Sequence, residues 1–237
     1  IQMRREFEQS GTDYDELVNN MGYVYLSLIP ALVFLEKRIM LQYTMLLYVI
    51  VFVFLGMKRG AILICVFCVG FFLWKSASST SRRQKGLMLL LTIVMLLVAS
   101  LWVKYLFENS VYFNIRLADT LEGNSSGRDY LYASCIEHIL QRTTDWEFLF
   151  GAGAMATMEV TRSNVAHNDW LELAVNQGMV GVVVYVVYWI GFFSFWRSVK
   201  NMPKIYFIVG LLLFIYFTKT MFSMSYGGMN IYSTSVL

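Results

Sequence analysis

Apolar residues in this chain come in long unbroken runs separated by short charged turns. Met21 to Leu35, Met40 to Leu55, Ala61 to Trp74, Leu87 to Phe107, Trp170 to Trp196 and Ile205 to Phe222 are each predicted as a helix of membrane-spanning character. The first is short and interrupted by Pro30, which neighbouring helices accommodate within a bundle. Between the runs lie the turns Glu36-Lys37-Arg38 and Gly56-Met57-Lys58-Arg59-Gly60, a Ser-rich basic linker from Lys75 to Lys85, and a basic loop from Arg197 to Lys204. The pattern predicts an all-α, polytopic transmembrane helix bundle of about six spans. The short alternating segments of a membrane β-barrel do not occur in it.

Residues 108–166 are the one long polar segment between spans, so three parts are expected. Residues 1–107 carry a polar start and four spans, 108–169 form a loop with short helices, and 170–237 hold two more spans and a tail. Within the loop, Ser125-Ser126-Gly127 caps a helix starting near Arg128. Leu131, Cys135, His138 and Ile139 follow at near-helical spacing, which docks one face on the membrane or the bundle. Trp146, Phe148, Leu149 and Phe150 form an aromatic cluster of interfacial type ahead of Gly151-Ala152-Gly153.

Composition agrees: 57% of residues are hydrophobic and 15% charged, with a mean hydropathy of +0.55. Charge adds orientation. Lys37, Arg38, Lys75, Arg82, Arg83, Lys85, Arg197, Lys200 and Lys204 fall on one side with the single acid Glu36. The positive-inside rule makes that side cytoplasmic, so the 108–166 loop and the Lys58-Arg59 turn face outward. The first residue is Ile1 and the final Ser-Thr-Ser-Val-Leu gives no clear stop, so a longer protein is expected. Cys65 and Cys68 have C-x-x-C spacing inside an apolar run, where buried small residues are the expected reading. Cys135 has no partner in the sequence.

Candidate chemistry gathers where the loop meets the fifth run, from His167 to Gly181. Polar His167, Asn168 and Asp169 stand at its edge, and Gly178-x-x-Gly181 follows, small residues that let helices approach closely. An unperturbed imidazole titrates near pH 6.5, which suits acid–base work; an interfacial histidine is the alternative. Asn168 and Asp169 are suited to orienting the ring or binding sugar hydroxyls, and Glu172 is expected on the same helix side as Asn168. Arg59, Arg128 and Arg162 are candidate anion ligands, because a guanidinium offers a planar fork of donors to phosphate oxygens. Each also reads as a solvated or snorkelling charge. Lys104 and Lys219 are expected to snorkel near span ends, and His138 is expected on a helix face. No metal-ligating constellation, P-loop, dinucleotide glycine pattern or nucleophile triad is present, and no basic nucleic-acid patch.

His167-Asn168-x-x-Leu171, with Gly178-x-x-Gly181 opening a span, resembles the outer-loop motif of the O-antigen ligase and polymerase family. Ser126-Gly127-Arg128 ahead of Leu149-Phe150-Gly151-Ala152-Gly153 looks like the start of the same loop. Lys58-Arg59-Gly60-Ala61-x-Leu63 is similar to the family's Ser-Arg-Gly-Ala turn. The resemblance runs from about Asn20 to Gly228. Lys58 stands where the family has Ser, and Asn176 where a Glu is common.

The resemblance implies metal-independent glycosyl transfer, with no cofactor, at the outer face of a bacterial cytoplasmic membrane. The partners would be a glycan on undecaprenyl diphosphate, a sugar-hydroxyl acceptor and the bilayer. Arg59 and Arg128 would hold the diphosphate, His167 would assist the acceptor, and Asn168, Asp169, Arg162 and Glu172 would contact substrate. A transporter of lipid-linked glycans is the rival, but it needs polar residues deep within spans, and the span interiors here are nearly free of charge. A non-catalytic membrane subunit is the third reading; it predicts tolerance to change at Arg59 and His167.

Overall fold

The computed structural model describes residues 21–56, 58–79, 82–109, 114, 118, 127–141, 144–162 and 165–223. The polar start at 1–20, Ser125, Ser126, Met57 and the tail after 223 lie outside the described residues. Every element among the described residues is helical, and four helices are long and apolar enough to cross a membrane. Two shorter apolar segments add to these, so about six spans are present. The chain divides into two compact units, Ile1–Arg116 and Leu117–Leu237.

In the first unit, α1 (Met21–Leu26) gives way to a 3₁₀ helix, Pro30–Leu35. Pro30 has no N–H for an α-helical bond, and the turn tightens: Ile29 N–H donates to Leu26 O at 3.1 Å and Leu32 N–H to Ile29 O at 3.1 Å. The buried Gln42 amide closes the remaining gap by donating to Leu32 O at 2.9 Å. Gln42 belongs to α2 (Ile39–Leu55), whose buried face runs through Tyr43, Leu46, Val49, Ile50 and Val53. Helices α3 (Arg59–Ser79) and α4 (Arg82–Asn109) follow. They run further into the expected Lys75–Lys85 linker than the sequence suggested, because helical bonding needs no apolar side chain. Cys65 and Cys68 are buried and free.

Small residues set the end of this unit that carries Arg59. A Cβ on Gly22 would lie 3.3 Å from Ala61 Cβ, and one on Gly56 would lie 3.4 Å from Gly22 Cα. The start of α1 and the end of α2 therefore meet backbone to backbone, and the Ala61 methyl at the start of α3 closes on Gly22. Arg59 is the first residue of α3, where a cation opposes the helix dipole.

The second unit contains α5 (Arg128–Leu140), α6 (Asp145–Phe150), α7 (Ala156–Val160), α8 (Asp169–Asn176), α9 (Gly178–Ser198) and α10 (Pro203–Phe222). Cys135, Ala156, Ala166 and Val175 are its buried centre, with Ile139, Val160 and Leu171 packed around them. The apolar face of α5 is thus docked on the loop's own helices. The α5 start stands where the sequence put it, with Gly127 as its cap residue at φ +79 and no side-chain cap bond.

The fifth span is shorter than expected. The apolar run from Trp170 to Trp196 breaks at Gln177, and Gly178 (φ +65) starts α9 as a separate helix. The expected continuous helix is replaced by two because the chain after α6 packs into the break. Ala152 N–H donates to Val175 O at 2.9 Å and Gly153 N–H to Asn176 O at 3.1 Å, satisfying carbonyls that end α8. A Cβ on Gly178 would sit 2.5 Å from Gly151 N, and one on Gly151 would overlap the Asn176 carbonyl. Only glycine fits both places, by φ and by space.

Candidate functional site

The centre of the site is a buried polar knot under the His167 segment. Ala166 N–H donates to Glu172 Oε1, and Asn176 Nδ2 donates to Glu172 Oε2 at 3.2 Å. Asn176 Oδ1 in turn accepts from Thr157 N–H and Thr157 Oγ1, each at 2.9 Å, and Thr161 Oγ1 donates to Thr157 O at 2.8 Å. Glu172, Thr157, Thr161 and Asn176 are all buried. Burial pushes the Glu172 carboxyl above its ordinary range, and nearby Asp169 adds to the rise, while the nearby Thr157 hydroxyl and the hydrogen bonds from Ala166 and Asn176 oppose it. The knot joins α7 to α8 and fixes the amide immediately before His167.

The residue after His167 is fixed as well. Asn168 caps α8: its Oδ1 accepts from Trp170 N–H at 3.0 Å and Leu171 N–H at 3.2 Å. Its Nδ2 donates to Met221 O at 3.3 Å, at the end of α10. Trp170 Nε1 donates to Thr220 Oγ1 at 3.0 Å, and Tyr132 OH to Met221 O at 3.3 Å. His167 is half-buried between these two anchored neighbours, in the left-handed region at φ +54. A non-glycine residue held there by bonds on both sides marks a position set by its surroundings.

Asp169 is wholly buried and accepts from Tyr185 OH at 2.7 Å, while Lys219 on α10 lies within its electrostatic reach. Lys219, expected to snorkel near a span end, is half-buried. Asn168 and Glu172 do not share an exposed side: Asn168 folds over the helix start and Glu172 points into the knot. Arg128 is half-buried at the first turn of α5, and Arg162 is exposed just after α7 at φ +59. Arg128, Arg162, His167, Asn168, Asp169 and Glu172 all belong to the second unit, and Arg59 to the first. His138 faces α6, with Nε2 3.4 Å from Glu147 Oε1. Cys135 is buried and free, its thiol pushed up to about 11 by burial.

Sequence reasoning did not find Thr157 or Tyr185, and it marked Asn176 only as a departure from the family's Glu. Thr157 and Tyr185 are brought in by tertiary contacts that no local pattern reports. Asn176 carried a signal, because Glu172 and Asn176 are one helical turn apart.

The O-antigen ligase family model matches residues 44–186, more than half of the chain. The chain belongs to the O-antigen ligase family. No curated protein and no solved structure matches it. The O-antigen ligase match runs from within α2 to within α9 and takes in all seven candidate residues. Membership assigns glycan transfer of the ligase or polymerase type to a multi-pass membrane enzyme, with a lipid-linked glycan and an acceptor as substrates.

Proposed function

We propose that this enzyme transfers a glycan from undecaprenyl diphosphate to a sugar hydroxyl at the outer face of the cytoplasmic membrane, with His167 as the group that assists the acceptor. The observation that carries this reading is the fixing of His167 between two anchored residues, at φ +54, on a segment with Arg162 nearby in sequence and Arg128 in the same unit. A hydroxyl oxygen attacks the anomeric carbon, the bond from that carbon to the diphosphate oxygen breaks, and the electron pair leaves with the diphosphate. The hydroxyl proton passes to the His167 imidazole, whose ring nitrogen is the side-chain group here able to accept it. Arg59, Arg128 and Arg162 supply positive charge to the leaving diphosphate, a role suited to a planar fork of donors.

Asn168, Asp169 and Glu172 act here through the protein. Glu172 and Asn168 hold the chain on either side of His167, and Asp169 ties its helix to Tyr185. The test is transfer from a defined lipid-diphosphate glycan by the full-length protein. His167→Ala is expected to lose about 10²–10⁴-fold in rate, the usual contribution of a positioned acid–base group, with stability little changed. A His167→Ala protein with parental turnover contradicts the assignment. His167→Gln keeps a hydrogen bond but takes no proton, so parental activity in that variant alone makes His167 an orienting group.

A further inference from the structure

Two cavities lie between α9 and α10, one of about 490 Å³ and one of about 420 Å³, and they share Tyr188, Trp189 and Tyr216. Their ends differ in chemistry. The larger is bordered at one end by Gln177, Tyr185 and Lys219; the smaller runs on past Phe192, Phe195 and Leu212, with no charged residue along it. Together they make a groove with a polar, cationic head and an aromatic and aliphatic tail.

The head is a built arrangement. Tyr185 OH donates to the wholly buried Asp169 at 2.7 Å, and Asp169 also attracts Lys219. Asp169 itself does not line the groove, so the carboxylate sits behind and the ammonium stands in front. A lysine near a span end ordinarily snorkels to water; here Lys219 instead borders a cavity and lies within reach of a buried carboxylate. The head also abuts the candidate site: Asp169 is two residues from His167, and Asn168 donates to Met221 O, two residues beyond Lys219.

We propose that this groove seats the lipid diphosphate donor, with Lys219 on a phosphate oxygen and the first isoprene units along Tyr188, Trp189 and Leu212. This rests on the transfer reading above and adds Lys219 as a donor-binding residue. The shape argues for an amphiphile over a soluble anion, because the charged end continues into an apolar channel. The link to the His167 segment argues for the donor over a bulk phospholipid, since a bulk lipid has no reason to be delivered to that segment.

The experiment is equilibrium binding to the full-length protein in nanodiscs, with four probes: a polyprenyl diphosphate, a polyprenol of equal length, inorganic pyrophosphate and phosphatidylglycerol. Lys219→Met is expected to weaken polyprenyl diphosphate by about ten- to hundredfold, the usual weight of one charge-assisted contact, and to leave polyprenol unchanged. Lys219→Arg should recover most of the loss. Leu212→Trp, which fills the tail without touching the head, should weaken both prenyl probes and not pyrophosphate. Parental affinity in both Lys219→Met and Leu212→Trp overturns the groove while leaving the transfer reading in place. A parent protein that binds no polyprenyl diphosphate overturns the transfer reading itself. Lys219-dependent binding of phosphatidylglycerol as tight as that of the diphosphate assigns the groove to bulk lipid and overturns the proposal.

Discussion

The first unit keeps its described residues at negative φ and all but one of its buried side chains apolar; the second does neither. All seven positive-φ residues among those described, Gly127, Gly151, Gly153, Met155, Arg162, His167 and Gly178, lie in the second unit. Of the eight buried polar side chains among the described residues, Gln42 alone belongs to the first, where it mends the gap left by Pro30. The other seven, from Thr157 to Ser223, belong to the second. A helix that only crosses a bilayer satisfies its backbone internally and needs nothing more. A segment that must hold one side chain at one place needs turns that leave the helical region and buried bonds that over-determine them. The contrast marks where side chains are held in place by buried bonds, without reference to any ligand; of the seven candidate residues Arg59 alone stands in the first unit.

The comparison breaks most visibly at the glycines. Gly178→Ala forces a side chain into φ +65 and against Gly151 N and Leu149 O, and should cost about 2–5 kcal/mol of stability. Gly191→Ala in the same helix has nothing within 4 Å of the added methyl and should be neutral or slightly stabilising. Thermal unfolding of the two proteins in one detergent checks this; equal melting temperatures would remove the glycine lock from the account.

The polar knot gives the next effect. Glu172→Gln places an amide N–H against Asn176 Nδ2 and should cost about 1–3 kcal/mol. Adding Asn176→Asp turns the donor pattern round, since the new carboxylate would accept from both the introduced amide and Thr157, and should return most of that stability. The knot also predicts a pH dependence. The folded Glu172 carboxyl stands above its unfolded value, so the folded state holds the proton more tightly. Its stabilising contribution is complete below the ordinary glutamate pKa and is lost as pH rises through the folded value. The parent melting temperature should therefore carry a downward component across that window that Glu172→Gln lacks.

The smallest effect is in labelling. Native Cys135, buried and with its thiol raised, should resist a membrane-impermeant maleimide until the protein is denatured. Leu140→Cys, on the same helix at 79% exposure, should react in intact cells. Lys200→Cys, in the short basic loop after α9, should react only after permeabilisation. Labelling of Lys200→Cys in intact cells reverses the proposed orientation.

The spans were readable in the sequence because each is a run of apolar residues between charged turns, and hydropathy alone reports that. The break at Gln177 was not, because Trp170 to Trp196 is apolar on average and the interruption is imposed by Gly151 arriving from elsewhere. One local sign existed: Asp169, Glu172 and Asn176 repeat at helical spacing on a face that a lipid-exposed span does not carry. His167 and Asn168 stood out at once as polar residues at a membrane edge. What Glu172 does was hidden, since its partners Thr157 and Ala166 come from the preceding loop and local periodicity carries no record of them. Lys219 was hidden for the same reason, its counter-charge Asp169 lying on another helix.

The central claim is that the buried knot works through His167, and a double-mutant cycle tests it most directly. Transfer rates would be measured for the parent, Glu172→Gln, His167→Ala and the double variant, in membranes with matched amounts of folded protein. Glu172→Gln alone should lose about ten- to hundredfold, as expected when a catalytic group is displaced by a fraction of its hydrogen-bond length. In the His167→Ala background the same change should cost less than about twofold, because the group it positions is gone, while its loss of melting temperature persists. Two losses that multiply in the double variant would show that Glu172 acts on transfer independently of His167, and would contradict the account.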